Sequence, residues 1–248
     1  MTITPAPLLA ICLITLWLSA YAGAYVRSRR HLGEGEREHL GVILTATLTL
    51  LGLILGFSFS MAVSRYDQRK SYEEEEANAI GTEYVRAGLL PAPDATNVRH
   101  LLKNYLDQRI LFYGTHDTPR LKQINNSITQ LQSDLWSTVQ SAAKAQPTPV
   151  TALAVSGMND VLNSQGYAQA AFWNRIPTAA WCLMLMIAVC AHVLVGYHAQ
   201  PSELKPTRFL FLPLIVSVAF FLIADLDSPR RGIIRVVPQN LISLSSNL

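Results

Sequence analysis

Hydrophobic positions along the chain fall into four long runs that are separated by polar segments. The runs cover 7–26, 40–63, 177–197 and 209–224, and none contains Asp, Glu, Lys or Arg. A helix of about 20 apolar residues is long enough to cross a hydrocarbon core of roughly 30 Å. The pattern therefore predicts an all-α membrane protein with four transmembrane helices and an extended helical extramembrane domain between the second and third spans.

The second run is the start of a longer helix. No proline occurs between Leu40 and Leu90, although the sequence changes from apolar to charged after Ser64. We expect the helix to continue to about Leu90, where the prolines of the segment 91–93 end it. Four successive glutamates, 73–76, lie on this extension. We interpret them as a solvated face, since one helix cannot supply the converging oxygen ligands of a calcium site.

Small and hydroxyl-bearing residues interrupt the second half of this span. Taken every three or four positions, they form one stripe with two bulky side chains: Thr49, Leu53, Gly56, Phe57, Ser60 and Ser64. Small residues allow helices to approach closely, and hydroxyls can hydrogen-bond within a bundle or face a water-filled path. The stripe therefore fits either helix packing alone or the lining of a pore.

The segment 94–173 has the pattern of soluble amphipathic helices. One apolar face holds Leu102, Leu106, Ile110 and Tyr113, a second holds Ile124, Ile128, Leu131, Leu135 and Val139, and a third holds Val150, Leu153, Val161 and Leu162. Candidate N-caps are Asp94 or Thr96 for the first helix, Thr118 before Pro119 for the second, and Thr148 before Pro149 for the third. We expect each face to be covered by a neighbouring helix or by another subunit.

The remaining segments complete a division of the chain into 1–63, 64–176, 177–226 and 227–248. The first run could be a signal peptide, but its leader lacks positive charge, which favours a retained helix. Polar segments at 27–39 and 202–208 would connect the paired spans. The weakly apolar tail from Ile233 to Leu248 would pack on the helical domain or lie along it.

Composition and charge narrow the possible functions. Half of the 248 residues are hydrophobic and 15% are charged, which is typical of a membrane protein. The net charge of +3 is scattered along the chain, so nucleic acid is not an expected partner. Cys12, Cys182 and Cys190 all lie in apolar runs and form neither a disulfide framework nor a metal-ligand spacing.

No catalytic motif supports an enzyme. His100 and His116 are isolated, and the chain contains no G-x-S-x-G, Walker loop, H-E-x-x-H or C-x-x-C motif. We therefore expect no catalytic residue, no metal and no cofactor. A transporter is also disfavoured, because the spans hold no acidic residue and no lysine, and His192 alone is a poor proton relay.

Three short motifs resemble the bestrophins, a family of pentameric anion channels, and more closely the bacterial bestrophin-like domain. They are L-G-F at 55–57 followed by Arg65-Tyr66, W-N-R-I-P at 173–177, and the segment 224–232 after the fourth span. The residues at 65–67 and 75–84 are the closest match to the bacterial group. The motifs occur in the family's order and frame the whole chain, whereas the soluble helices between them match only in character.

The resemblance implies that the second helix lines a narrow hydrophobic neck. Counting back from L-G-F in steps of four, the neck residues would be Phe57, Leu53 and Thr49. Rings of apolar side chains can gate a pore by dewetting. The family has apolar residues at all three positions. Thr49 departs from this pattern, so the resemblance does not decide whether the outer constriction is present. A second departure follows Gly232, where calcium-regulated members have an acidic run and this chain has I-I-R, so calcium gating is not expected.

Two functions of different class remain. The first is an oligomeric ion channel, pentameric and anion (chloride) conducting by resemblance, in which Arg65 near the inner end of the neck attracts anions. Arg65 could equally be an interfacial anchor. The second is a non-conducting membrane scaffold or sensor whose helical domain binds a partner.

The expected location is the inner (plasma) membrane, with the helical domain on the cytoplasmic side. The expected partners are the lipid bilayer, further copies of the chain and small inorganic ions. Charge alone does not decide the orientation, because Lys and Arg flank the two ends of the spans in near balance. The first helix, taken alone, favours the opposite orientation, with the helical domain outside the cytoplasm.

Overall fold

A computed structural model describes residues 5–29, 33–199 and 208–248, and this part of the chain is helical and contains no strand. The helices are α1 (Pro5–Ser28), α2 (Glu34–Arg86), α3 (Ala92–Gly114), α4 (Thr118–Ala145), α5 (Pro149–Trp173), α6 (Thr178–His198), α7 (Arg208–Asp227) and α8 (Gln239–Asn247). One 3₁₀ turn, Ala87–Leu89, follows α2. Four helices are long and apolar enough to cross a membrane, as the sequence predicts. The expected connection at 202–208 lies, apart from Arg208, outside the described residues, as does part of the connection at 27–39.

The chain divides into two compact units. Unit 1 comprises 1–64 and 175–234, and unit 2 comprises 65–174 and 235–248. The segment after the fourth span therefore stays with the membrane helices as far as Ile234. Only the last part of the tail joins the helical domain.

Unit 1 is built from α1, α6 and α7 together with one face of α2. Its core is made by side chains from all four helices, among them Leu16, Leu51, Met184, Ala188 and Phe220. These residues are apolar and between 0% and 2% exposed, so the centre of unit 1 is hydrophobic.

The backbones of α1 and α6 touch in unit 1. A Cβ on Gly196 would overlap the carbonyl oxygen of Ala20, and a Cβ on Gly23 would overlap that of Val193. Small residues permit this approach between membrane helices, where close van der Waals packing drives association. The two glycines therefore set how closely α1 and α6 pack.

Unit 2 has its own hydrophobic core, formed by α3, α4, α5, the extension of α2, and α8. Its largest buried apolar side chains include Ile80, Tyr105, Phe112, Leu135, Met158 and Leu241. Three rings, Phe112, Tyr113 and Phe172, meet edge to face with centroids 5.2–5.6 Å apart. Such pairs stabilise beyond their buried area.

The predicted apolar faces are confirmed for α3 and α4 and wrong for the first half of α5. The predicted residues of α3 and α4 are buried, except that Ile110 and Leu131 are half-buried. In α5, Val150 and Leu153 are exposed, whereas the buried face holds Thr151, Ala154, Gly157, Met158 and Val161. Small residues form much of this face because α5 packs closely on α2, so the bulky residues at its start point away.

The helix caps agree with the sequence at one of three positions. Thr148 caps α5, since its hydroxyl accepts the N–H of Thr151 at 3.1 Å and the Thr151 hydroxyl accepts the N–H of Thr148 at 3.1 Å. The cap of α4 is Asp117, one residue before the predicted Thr118, and it accepts the N–H of Arg120 at 3.3 Å. In α3 the helix starts at Ala92 after Pro91 without a side-chain cap. The predicted caps of α3, Asp94 and Thr96, therefore lie inside the helix.

The interpretation of 73–76 as a solvated face is wrong for two of its four glutamates. Glu73 and Glu76 are 1% and 0% exposed, because α3 and α8 cover this side of α2. Glu76 forms a buried ion pair with Nε of Arg109, whose Nη2 donates to its second oxygen at 3.0 Å. Glu73 accepts the N–H of Leu241 at 3.0 Å and Nδ2 of Asn240 at 2.7 Å, which fixes the start of α8 on the helical domain.

Candidate pore-lining face of α2

The stripe predicted from the sequence lies on the side of α2 that faces away from the rest of unit 1. The helix packs into unit 1 through Leu51, Ser58 and Ala62, which are between 0% and 5% exposed. Each residue advances the direction by about 100° around a helix, so the stripe lies roughly opposite this packed face. All six stripe residues are exposed: Thr49, Leu53, Gly56, Phe57, Ser60 and Ser64.

The two bulky residues of the stripe are among the well-exposed apolar side chains of the unit. Leu53 is 53% exposed and Phe57 is 62% exposed. Of the most apolar stretch of α2, 6% of the residues are buried, compared with 50% in α7. Most of the surface of α2 is therefore left for contacts with lipid, with water or with another chain.

Two glycines in the apolar part of this helix, Gly52 and Gly56, are not explained by packing within the described chain. A Cβ on Gly52 or on Gly56 would meet no atom within 4 Å. By contrast, Gly23 and Gly196 in the same unit are required by helix contact. Contacts within the described chain therefore do not require glycine at positions 52 and 56.

Three threonines in the N-terminal part of α2 form hydrogen bonds within the helix. The hydroxyls of Thr45, Thr47 and Thr49 donate to the carbonyl oxygens four residues earlier, at 2.9, 2.7 and 2.8 Å. A hydroxyl bonded in this way has satisfied its donor locally. The departure at Thr49 is thus milder than the residue type suggests, because its hydrogen is not free for an ion or for water.

Beyond the stripe, α2 enters unit 2 through charged residues. Arg65, predicted as an ion-attracting residue, is half-buried, and Arg69 is 1% exposed. Nε of Arg69 donates to the carbonyl oxygen of Ala171 at 3.2 Å, which joins α2 to the end of α5. The residue pattern does not indicate this contact, because its acceptor is a backbone group 102 positions away.

Two of the three motifs meet in unit 1. Asp227, at the end of α7, accepts the N–H of Ile176 with both oxygens, at 3.0 and 3.2 Å. Asp225 accepts the N–H groups of Ile233 and Ile234 at 2.7 and 2.8 Å. Both aspartates are buried, and their carboxylates serve as acceptors for backbone groups at the ends of helices.

No cluster in the described ranges is arranged for metal chemistry. Among these residues, no group of three or more His, Cys, Asp or Glu side chains is placed to hold an ion. The carboxylate oxygens of the two buried aspartates also accept hydrogen bonds from backbone N–H groups. The polar groups at the end of α7 therefore have a structural use.

The whole chain resembles known structures of bacterial bestrophin homologues. A crystal structure of a bacterial bestrophin homologue from Klebsiella pneumoniae with a single substitution is 14% identical, with a TM-score of 0.64 over 96% of this chain and 98% of that chain. A crystal structure of a membrane protein, also with a single substitution, is 14% identical with a TM-score of 0.66 over the same shares. At this identity the likeness shows the fold alone.

Family membership is decided by the sequence match. No curated protein matches the chain significantly. The family model described as a bestrophin-like domain, however, matches residues 9–241, which covers most of the first span, the other three spans and most of the helical domain. The chain belongs to the bestrophin-like family.

Proposed function

We propose that this protein is one subunit of an oligomeric, anion-conducting channel. The outward stripe of α2 lines its path, and Phe57, Leu53 and Thr49 form the narrow neck, one set per subunit. The single observation that carries the proposal is the position of this stripe. It mixes bulky apolar, small and hydroxyl residues on the face of α2 opposite its packed side, where several copies around an axis would place it inward.

The chemistry of the stripe suits a gated path. Apolar rings such as Phe57 and Leu53 repel water from a narrow section, so that conduction depends on small changes in diameter. Gly56 and Ser60 lie on the same face and would keep the sections beside these rings wider and more polar. Arg65, at the start of unit 2, would raise the local concentration of anions by simple attraction.

Ion flux in liposomes tests the proposal. The full chain is reconstituted, and chloride flux and potassium flux are measured under matched gradients. We expect chloride flux above that of empty liposomes and a preference for chloride over potassium. A preference for potassium would reject anion conduction, and absence of any flux would favour the non-conducting scaffold or sensor.

A pair of phenylalanine variants separates the neck from a general effect on the helix. Phe57→Ala removes the proposed constriction and is expected to raise chloride flux about tenfold, equivalent to roughly 1.4 kcal/mol of barrier. Phe59→Ala is the matched control, because Phe59 is also exposed, at 42%, but lies on the other side of α2. Equal flux in the wild type and Phe57→Ala, or the same rise in both variants, would contradict the neck.

The number of subunits and the orientation are part of the same proposal. We propose a pentamer in the inner (plasma) membrane with unit 2 in the cytoplasm. The mass of the purified complex, measured by native mass spectrometry, is expected to equal five chains, and a monomer or dimer would leave no central path. A fluorescent reporter fused after Leu248, which belongs to unit 2, is expected to be shielded from periplasmic quenchers in intact cells.

A further inference from the structure

A buried glutamate on the extension of α2 has no hydrogen-bond partner in the part of the chain that the structure describes. Glu83 lies in unit 2, well beyond Val63, where the predicted membrane span ends. Its side chain is 0% exposed, and neither carboxylate oxygen has a hydrogen-bond partner among the described residues. An ionised carboxylate in such a position is strongly disfavoured, because it has lost its water and gained no donor.

The space for this carboxyl group is provided by a glycine of α5. A Cβ on Gly157 would overlap Oε2 of Glu83 and would lie 2.8 Å from Nη1 of Arg86. With any larger residue at 157, the carboxyl group of Glu83 would have to shift from this position between the two helices. The carboxyl group fills the position that a side chain of α5 would otherwise take.

Helices α2 and α5 run antiparallel along a defined seam in unit 2. At one end Arg69 donates to the carbonyl oxygen of Ala171, and at the other Glu83 meets Gly157. The number of residues from Arg69 to Glu83 on α2 equals the number from Gly157 to Ala171 on α5, as expected for two helices packed side by side. Between them, the rings of Tyr72 and Tyr167 stack with centroids 5.9 Å apart. Glu83 thus lies at the end of the seam opposite the hydrogen bond of Arg69.

The charged groups around Glu83 partly cancel. On α2 itself, Arg86 lies one turn further on, and its ion pair, at 3.8 Å, is with Asp160 of α5. From α3, Arg99 donates to the carbonyl oxygen of Tyr84 at 3.1 Å. The part of α8 that approaches this region contributes an apolar side chain, Leu244, against Gly81. Because Arg86 and Asp160 act in opposite directions on Glu83, burial is the largest influence, and it raises the pKa of Glu83 to about 8.

We propose that Glu83 is a proton-binding site that controls how firmly α5 packs on α2. With the proton bound, the neutral carboxyl group stays buried against Gly157. When the proton is released to solvent, the carboxylate must gain water or recruit Arg86 from Asp160. Either change opens the seam at the Gly157 end, while the Arg69 contact holds the other end. The proposal goes beyond the channel function and does not depend on whether the protein conducts ions.

The sign of the pH dependence follows from proton linkage. An opened seam exposes Glu83 to water, where its pKa returns towards the ordinary value of 4.5, whereas the closed seam holds it near 8. Between these values the closed form binds a proton that the open form does not. Each unit of rising pH therefore increases the opening equilibrium about tenfold, and the increase levels off above the closed-state pKa.

Amide hydrogen exchange on the full chain in lipid nanodiscs tests the proposal. Protection factors, corrected for the intrinsic pH dependence of exchange, are measured for the amides of α5 around Gly157 between about pH 5 and about pH 9. We expect protection to fall about tenfold per pH unit up to about pH 8 and then to flatten. In Glu83→Gln, which is neutral at every pH, this slope is expected to vanish. Glu74→Gln, which changes an exposed carboxylate of the same helix, should keep it.

Two outcomes would overturn the proposal. One is a wild-type protection factor that does not change with pH, and the other is a slope that persists in Glu83→Gln. A second measurement covers the case in which that variant fails to fold. An infrared titration of the wild type should show a protonated-carboxyl band that disappears with a midpoint near pH 8. Loss of every such band at the ordinary pH of a glutamate would reject the site.

Discussion

Both carboxylate oxygens of Asp227 accept the backbone N–H of Ile176, at 3.0 and 3.2 Å, across 51 positions of the chain. Ile176 belongs to the W-N-R-I-P motif and Asp227 to the segment 224–232, so two motifs that carry the family resemblance form one structural joint. The joint connects the residues just before α6 to the last turn of α7. A buried backbone donor at this position needs an acceptor, and the aspartate supplies one.

Asp227→Ala is expected to lower the free energy of unfolding by about 1–3 kcal/mol, because it leaves the buried N–H of Ile176 without its acceptor. The measurement is unfolding of the purified protein in mixed detergent, followed by circular dichroism. Asp67→Ala is the control, since Asp67 is exposed on α2. Equal stability of the two variants would show that the joint contributes nothing.

Glu76→Gln is expected to lower the free energy of unfolding by about 3–5 kcal/mol, because it leaves the buried charge of Arg109 without an opposite charge. Burial lowers the pKa of Arg109, but the carboxylate of Glu76 outweighs this effect and raises the net pKa. The guanidinium therefore stays charged at every practical pH and needs its partner. Glu75→Gln changes the neighbouring glutamate, which is exposed and bonded to Ser71, and should stay within about 0.5 kcal/mol of the wild type. The same unfolding assay compares the two variants, and similar losses would contradict the ion pair's role.

Gly196→Ala is expected to destabilise unit 1 by about 1–3 kcal/mol or to abolish its assembly, because the added methyl group overlaps the backbone of Ala20. A backbone atom cannot move aside as a flexible side chain can, so α1 and α6 must separate. The control is Gly166→Ala in α5, where a Cβ would meet nothing within 4 Å. That change should be neutral or stabilising by up to about 1 kcal/mol. Monodispersity and thermal unfolding in detergent distinguish the two outcomes.

Hydrophobic periodicity and helix-ending residues in the sequence were enough to predict α1 to α7, whereas α8 was not predicted from the weakly apolar tail. Long apolar runs without charge gave the four candidate spans. The absence of proline between Leu40 and Leu90 predicted an unbroken helix to about Leu90; it ends at Arg86 and is followed by the 3₁₀ turn. The Thr148-Pro149 pair gave the start of α5 because a cap acts within one turn. Each of these signals is local, so each can be read from neighbouring residues.

Burial of charge could not be predicted in the same way. Glu76 looks like its exposed neighbours Glu74 and Glu75, and its partner Arg109 lies 33 positions further on, within another helix. The burial of Glu83 could not be predicted either, because its carboxyl group lies in the space beside Gly157, a residue of another helix. The start of α5 was misjudged for a related reason. The face of α5 that packs on α2 holds small residues such as Ala154 and Gly157, whereas the prediction was based on large apolar side chains.

Whether the stripe of α2 lines a pore stays a prediction of the sequence. Its six residues lie on one exposed face, and the helix packs through the opposite one. Exposure in a single chain is expected for lipid, for a subunit contact and for a water path alike. The Phe57 and Phe59 variants distinguish these environments because the two rings lie on different sides of one helix.

The docking of α8 imposes an order on how the helical domain is completed during synthesis. Leu241 is fully buried in a core whose other members are encoded before α6 and α7. Glu73 likewise remains without the backbone donor of Leu241 until that residue has left the ribosome. The domain therefore acquires its final contacts only after the last two membrane helices have been translated. Translation that stops before residue 235 yields a domain with an open groove, in which Glu73 lacks the donors of Asn240 and Leu241.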